Sequence, residues 1–443
     1  MIFLILAKEF ANIIVRTFML TRFTILFSLF FYPLLIITLA GCSNFDKLHD
    51  DLAEIKQSAI TIKVTVNSAK DNHSPVIIVA FEDKLGANVL GGKLMPKPET
   101  LTYKIVKQEQ YLFAFQDVNK NLGFDENEPY AWFSQGRPLV LTESEDIYEL
   151  TVELLSRNEN HLEPPKAFKK LDSIEKLSFS ELDLNFGKVS LIDDPLLSTN
   201  HALKGLWQPL DFIKDGGVGI HFLSEYDPNK IPILFVHGIN GAPDNFKSLI
   251  SKLDADKYQA WVYSYPSGLS LNMVATGLYS FLATLNHQNS FEQLHIVAHS
   301  MGGLVSRGYI NLCIENNSCQ YLRSFTSIST PWAGHDAAAL GVKYAPEVVP
   351  VWYDMSPGSD YISGLFVSQF PQNIKHTLFF SVKSTSMLSI ENTDDVVSVA
   401  SQLRYEAQNQ ATLIYGFDEG HMSILNNNSL SEKLAKILDK QSK

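Results

Sequence analysis

Ser300 stands in Val297-Ala298-His299-Ser300-Met301-Gly302-Gly303, where an apolar strand-like run passes straight into helix-like sequence. Small residues around a serine at such an elbow let the backbone turn tightly and lift the hydroxyl to the tip. Gly is usual two positions before the serine, and Ala298, the next smallest side chain, stands there. A serine hydroxyl is a weak nucleophile at neutral pH, so it needs a base, and the base needs an orienting carboxylate. His421 follows the run TLIYGF and is the last histidine of the chain. Asp394 and Asp395 lie in the turn between TLFFSV and that run. A Ser, Asp, His order therefore admits one base and leaves the two acids open. Upstream, Val236-His237-Gly238-Ile239-Asn240-Gly241 ends another strand-like run in a flexible turn. The backbone N–H groups of Met301 and Ile239 are the natural pair to receive an oxyanion. His237 in that turn reads as a hydrogen-bonding prop for the loop rather than as a base.

These residues need a rigid frame. From about residue 200 onward, ILFVHG, QAWVYSY, LHIVAHS, FTSIST, TLFFSV and TLIYGF alternate with helical stretches. Continuous apolar runs between amphipathic helices predict an α/β domain over 200–443, a doubly wound, mostly parallel sheet covered on both faces. Sites in such sheets form at the carboxyl ends of the strands, where all the chemistry-bearing residues above fall.

Residues 200–440 resemble the α/β-hydrolase superfamily, and within it the serine lipases and esterases related to GPI-inositol deacylases. The resemblance implies the acid: the family's loop reads Asp-Gly-Val-Val, which aligns Asp394 with the carboxylate and puts Asp395 in the Gly place. Ser329-Thr330-Pro331-Trp332-Ala333-Gly334-His335 is similar to the Ser-Thr-Pro loop of that group. Between His335 and about Gln372 the strand and helix rhythm stops, at the point where lipases insert a cap, and the stretch reads either as such a cap or as an ordinary packed excursion. Trp332, Trp352 and Tyr353 are the candidate linings of an apolar flap there, and Tyr263 to Gly268 a second rim.

Ahead of this domain, 59–155 carries short β-rich runs (AITIKVTV, PVIIVAF, YLFAFQDV, YELTVELL) separated by Gly, Pro and Asn clusters, the pattern of a small β-sandwich. Residues 156–199, with Pro164-Pro165 and mixed charge, read as a linker. Within the sandwich, Asp117, Asn119, Asn121, Asp125 and Glu128 occupy positions 1, 3, 5, 9 and 12 of a loop, the oxygen spacing of a calcium site. Leu122 stands at position 6, where the sharp turn calls for Gly. The stretch also resembles calcium-stabilised loops of prealbumin-like or Ig-like bacterial surface sandwiches. Structural calcium is one reading, and an acidic solvated turn the other.

No charged residue occurs from Phe23 to Phe45, and Leu39-Ala40-Gly41-Cys42 closes the apolar run as a bacterial lipobox does. The resemblance implies cleavage after residue 41 and a lipid on Cys42, with Ser43 favouring outer-membrane sorting. Met19 offers an alternative start that leaves a signal of ordinary length. Loss of 1–41 removes Lys8, Arg16 and Arg22 against Glu9, a net +2, and takes the formal charge from -12 to -14. Residues 42–58, polar and charged, read as a tether turning helical near its end. In an exported chain, Cys313 and Cys319 have the spacing of a local disulfide or remain two buried thiols.

With 45% apolar and 19% charged residues the chain is globular, and 48 acidic against 36 basic residues argues against nucleic acid as a partner. The expectation is an acyl-ester hydrolase of the cell envelope, membrane-held at its N-terminus, needing no cofactor for catalysis. The same triad would serve an acyltransferase. An inactive adhesion or scaffold lipoprotein is the reading outside catalysis.

Overall fold

A computed structural model of the chain describes residues 43–68, 73–140, 147–171, 184–383 and 392–442. The expected signal 1–41 and the lipidation candidate Cys42 lie outside the described residues.

The stretch expected to be a tether is instead a docked helix, α1 (43–58). Phe45, Leu48, Leu52 and Ile55 recur at three- and four-residue intervals, which places them on one helical face. Leu48 is fully buried, and Leu52 and Ile55 pack against the same core. Asp51, on α1, accepts the amides of Leu210 (2.8 Å) and Asp211 (3.4 Å). Glu54 pairs with Lys214 at 2.7 Å.

Seven strands follow: β1 (Ala59–Ser68), β2 (Val76–Phe81), β3 (Val89–Met95), β4 (Thr100–Val106), β5 (Tyr111–Gln116), β6 (Tyr130–Trp132) and β7 (Ile147–Leu154). They form one sheet of order β4-β1-β7 and another of order β3-β2-β5-β6. In β1, alternate residues are buried, the period-2 signature of a strand with one covered face. β2 is buried throughout because both of its faces are covered: Val76, Ile78 and Ala80 join the main core, while Ile77, Val79 and Phe81 meet Phe168 and Leu171. The expected linker therefore begins later than residue 156. Tyr130 Oη donates to the Leu162 carbonyl and Trp132 Nε1 to that of Glu163, so 156–171 cover this second face.

The larger sheet likewise starts before residue 200, with β8 (Asn185–Val189). After α2 (Thr199–Trp207) and α3 (Pro209–Lys214) come β9 (Gly219–Phe222), β10 (Ile231–Val236), α4 (Lys247–Ile250), β11 (Tyr258–Ser264), α5 (Leu271–Asn289), β12 (Leu294–His299) and α6 (Met301–Glu315). The chain continues through β13 (Leu322–Ile328), α7 (Asp336–Tyr344), α8 (Pro350–Met355), α9 (Asp360–Gly364), β14 (Lys375–Val382), α10 (Val399–Gln402), α11 (Tyr405–Gln410), β15 (Leu413–Asp418) and α12 (Asn428–Gln441). The strand order is β15-β14-β13-β12-β10-β11-β9-β8. From β11 to β15 every neighbouring pair is parallel, and β9 runs antiparallel to β11.

Alternate residues of the central strands feed two cores. Leu234, Val236, Ile296 and Ala298 pack toward α5 and α6, whereas Ile233, Phe235 and Val297 pack toward α4 and α12. This doubly covered sheet is the predicted fold class, and it puts the ends of β10, β12, β14 and β15 on one edge. At the far end of α6, Cys313 and Cys319 form a disulfide with a Cα–Cα distance of 5.5 Å. The stretch without rhythm after His335 is a run of three short helices, α7 to α9, too brief to show a 3.6-residue period in sequence.

Candidate active site

The chain leaves β10 toward β11 on one side and returns through α5 to β12 on the other. In open α/β sheets such a reversal marks where sites form, here at the carboxyl ends of β10 and β12. Ser300 sits there between β12 and α6 with φ 55° and ψ -129°, a conformation rarely taken by a residue with a side chain. Its amide donates to the Ile328 carbonyl at 2.8 Å, and its carbonyl accepts from Gly303 at 2.9 Å. The small residues are a steric need: a Cβ on Gly302 would fall 2.3 Å from the Val236 carbonyl oxygen. Ala298 is wholly buried in β12 opposite Ser327, where its methyl is accommodated in the core.

His421, after β15, reaches Ser300 Oγ with Nε2 at 2.9 Å and Asp394 Oδ2 with Nδ1 at 2.7 Å. Asp394 is the acid in contact. Asp395 points away and pairs with Lys383 at 2.7 Å. Asp395 has φ 78°, the left-handed region that favours Gly, which accounts for the Gly at this place in the loop pattern it resembles.

The acid is held by groups that sequence reading did not single out. Oδ1 of Asp394 accepts the amides of Val396 (3.1 Å) and Val397 (2.7 Å). Oδ2 accepts Ser381 Oγ (2.7 Å) and Gln402 Nε2 (3.1 Å). Burial alone would raise the Asp394 carboxyl, but the bonds from His421, Val397 and Ser381 outweigh it and hold the group below its ordinary value. Ser381, a hydroxyl on the buried strand β14, carried a sequence signal; Gln402, in the four-residue α10, carried none.

The turn after β10 runs beside the serine, since a Cβ on Gly238 would lie 2.8 Å from Ser300 Cβ. Met301 opens α6, where a backbone N–H has no intrahelical acceptor, and Ile239 follows Gly238 in the turn. His237 Nδ1 lies 2.9 Å from the Gly238 carbonyl, and its ring stacks on Tyr265, whose hydroxyl donates to the His237 carbonyl. Burial pushes His237 down to about 4, so it is neutral and braces the turn. His299, pushed down by burial to about 3, donates Nε2–H to the His421 carbonyl at 2.8 Å.

Ser300 and His421 are only 5% and 7% exposed. Of the proposed flap linings, Trp332 is buried against Phe325 and Phe366, Trp352 meets Trp207, and Tyr353 faces solvent. Tyr263 and Tyr265, expected at a rim, are buried. A cavity of about 560 Å³ lies beside the turn after β3 and the turns flanking β12 and β13, lined by Lys97, Glu292, Tyr321 and Arg323 among others, and touches no triad residue. Another serine–histidine contact, Ser190 Oγ to His221 Nδ1 at 2.9 Å, has no hydrogen-bond partner on the other ring nitrogen and so lacks the carboxylate arm.

The residues of the calcium expectation share one loop after β5. Asp117 accepts the amides of Asn121 and Leu122 (both 3.0 Å), and Glu128 those of Val118 (2.8 Å) and Asp125 (3.0 Å). Asp125 Oδ2 takes the side-chain amides of Asn119 and Asn121. These carboxylates tie the loop to itself, with Leu122 at φ 60° in the conformation expected of Gly. Among the described residues no group of three or more His, Cys, Asp and Glu side chains is arranged to hold a metal.

No family model and no curated protein matches the chain. Solved structures similar to it include a lipase of Bacillus licheniformis (19% identity, TM-score 0.39, 48% of this chain and 94% of that one). A phospholipase of Legionella pneumophila (18%, 0.33, 39% and 44%) and a putative aryl esterase of Burkholderia cenocepacia (14%, 0.34, 50% and 94%) also match. At these identities the fold is read from the strands of this chain itself. Residues 185–442, an eight-stranded and mostly parallel sheet with serine, acid and histidine at one edge in that chain order, have the α/β-hydrolase fold.

Proposed function

We propose that this chain is a serine hydrolase of carboxylic esters. The observation that carries the reading is the continuous relay from Asp394 through His421 to Ser300, at 2.7 and 2.9 Å, on a strained elbow. Ser300 Oγ attacks the acyl carbonyl while His421 Nε2 takes its proton. Asp394, kept ionised, orients the ring and stabilises the imidazolium. The Met301 and Ile239 amides receive the oxyanion. His421 returns the proton to the leaving alcohol, the ester bond breaks, and the acyl group stays on Ser300. Water, deprotonated by the same imidazole, then releases the acid and regenerates the serine. Acyl or lipid esters of the cell envelope are the proposed substrates, supported by the lipobox-like Leu39 to Cys42 and by the lipase and GPI-inositol deacylase-like loop residues.

A fluorophosphonate probe tests this directly. The parent should be labelled, and Ser300→Ala and His421→Ala should not. Labelling of Ser300→Ala at the parent's level would overturn the assignment. Product analysis with and without an alcohol acceptor then separates hydrolysis from acyl transfer to that alcohol.

A further inference from the structure

Half-buried aromatic side chains of α1, α2 and α8 gather where the chain enters the described structure. Phe45 of α1 meets Trp207 of α2 edge-on at 5.2 Å, and Trp207 meets Trp352 of α8 at 6.1 Å. Gly341 of α7 lies against Trp352, where a Cβ would come within 2.5 Å of the indole. His49 and Glu347 tie α1 to the α7–α8 connection at 2.9 Å. On α2, α7 and α8 stand Leu203, Leu340, Tyr344 and Tyr353, each more than half exposed, with Leu340 at 58% and Tyr344 at 69%. Leu340 and Tyr344 are four residues apart on α7 and so share a face.

We propose that this face, formed by α1, α2, α7 and α8, rests on a zwitterionic phospholipid bilayer, the membrane that a lipid on Cys42 would hold, and that it presents α7 and α8 to ester-bearing lipids there. This deepens the hydrolase reading and rests on it. Three observations choose the occupant. The lipidation candidate Cys42 lies three residues before Phe45, itself part of the patch, so a lipid there would hold this face against the membrane. Tryptophan and tyrosine around leucine are the side chains favoured at the level of lipid headgroups. The chain carries -12, so attraction to an anionic surface does not supply the binding and apolar burial must. Among the described residues no helix is long and apolar enough to cross a membrane. The face also touches the site's frame: Gly268 donates to the Gly205 carbonyl of α2 and accepts from Val351 of α8, while the neighbouring Ser267 Oγ accepts the Asn240 amide of the oxyanion turn.

The test uses the full chain reconstituted with vesicles of phosphatidylcholine and phosphatidylethanolamine. Brominated acyl chains should quench the parent's tryptophan fluorescence, and a Trp207→Phe, Trp352→Phe variant should lose most of that quenching, since Trp132, Trp261 and Trp332 are buried. Quenching unchanged in this variant would overturn the docking face. Independently, Leu340→Asp with Tyr344→Asp should hydrolyse a vesicle-borne ester at least about tenfold more slowly, while turnover of a short soluble ester stays within about twofold. Equal vesicle rates in the parent and this variant would sink the proposal. A parent inert toward the soluble ester would instead sink the hydrolase reading, and the quenching arm would still report on the face.

Discussion

Among the described residues two buried aspartates face histidines, and one of these pairs is built for chemistry. Asp117, after β5, and Asp394, after β14, are both fully buried and both accept two amides of their own turns. His421 meets Asp394 at 2.7 Å in an aligned hydrogen bond. His287 of α5 stands 3.3 Å from Asp117 Oδ2, yet neither of its ring nitrogens makes a hydrogen bond. The second nitrogen of His421 faces a hydroxyl, whereas that of His287 faces none. A buried acid beside an imidazole is therefore a structural device until a nucleophile completes it, and the third partner arrives from a distant strand.

The largest expected effect separates the histidines. His421→Ala should lower ester turnover by about 10⁴-fold or more, and His287→Ala should leave it within about threefold. Steady-state kinetics on folded protein checks this, and comparable losses would erase the distinction. The acids come next. Asp394→Asn should cost about 10³ to 10⁴-fold in kcat through the wrong imidazole tautomer, and Asp395→Asn a few-fold at most. Asp117→Asn should spare turnover and instead lower stability by about 1–3 kcal/mol, because its oxygens hold loop amides. Thermal melts beside kinetics read both quantities.

The smallest effect concerns pH. Burial depresses His221, His237 and His295 to about 4 and His299 and His376 to about 3, all below the ordinary 6.5. The unfolded chain binds these protons first, so the stability they contribute is complete above 6.5 and is lost as pH falls toward 4 and 3. Asp394, also depressed, adds loss in the same direction at lower pH, below the ordinary carboxylate range. Melting temperature should therefore fall steadily from pH 7 to 4, and His299→Gln should make the slope shallower. A flat profile would show that the buried rings are protonated alike in both states.

Much of the site was legible because each piece is local. The apolar run before Ser300 and the small residues after it announce an elbow, and the position of His421 after the last strand leaves no competing base. The choice of Asp394 over Asp395 needed either the family resemblance or the loop's actual shape, because two adjacent acids differ in direction and not in composition. Gln402 escaped notice since a glutamine in a short helix has no pattern. Helix α1 was misread as a tether although Phe45, Leu48, Leu52 and Ile55 carry a helical period, because nothing local says what that face packs against.

By itself, the sequence determined the periods of strand and helix, the strand ends where reactive side chains fall, and their order along the chain. These follow from side-chain chemistry within a few residues. Tertiary structure alone decided that β12 lies beside β10, that the turns after β14 and β15 meet at Ser300, and that the segment after β7 closes the sandwich. Those pairings depend on burying surfaces contributed by residues far apart in the chain, a free energy that no short window of sequence contains.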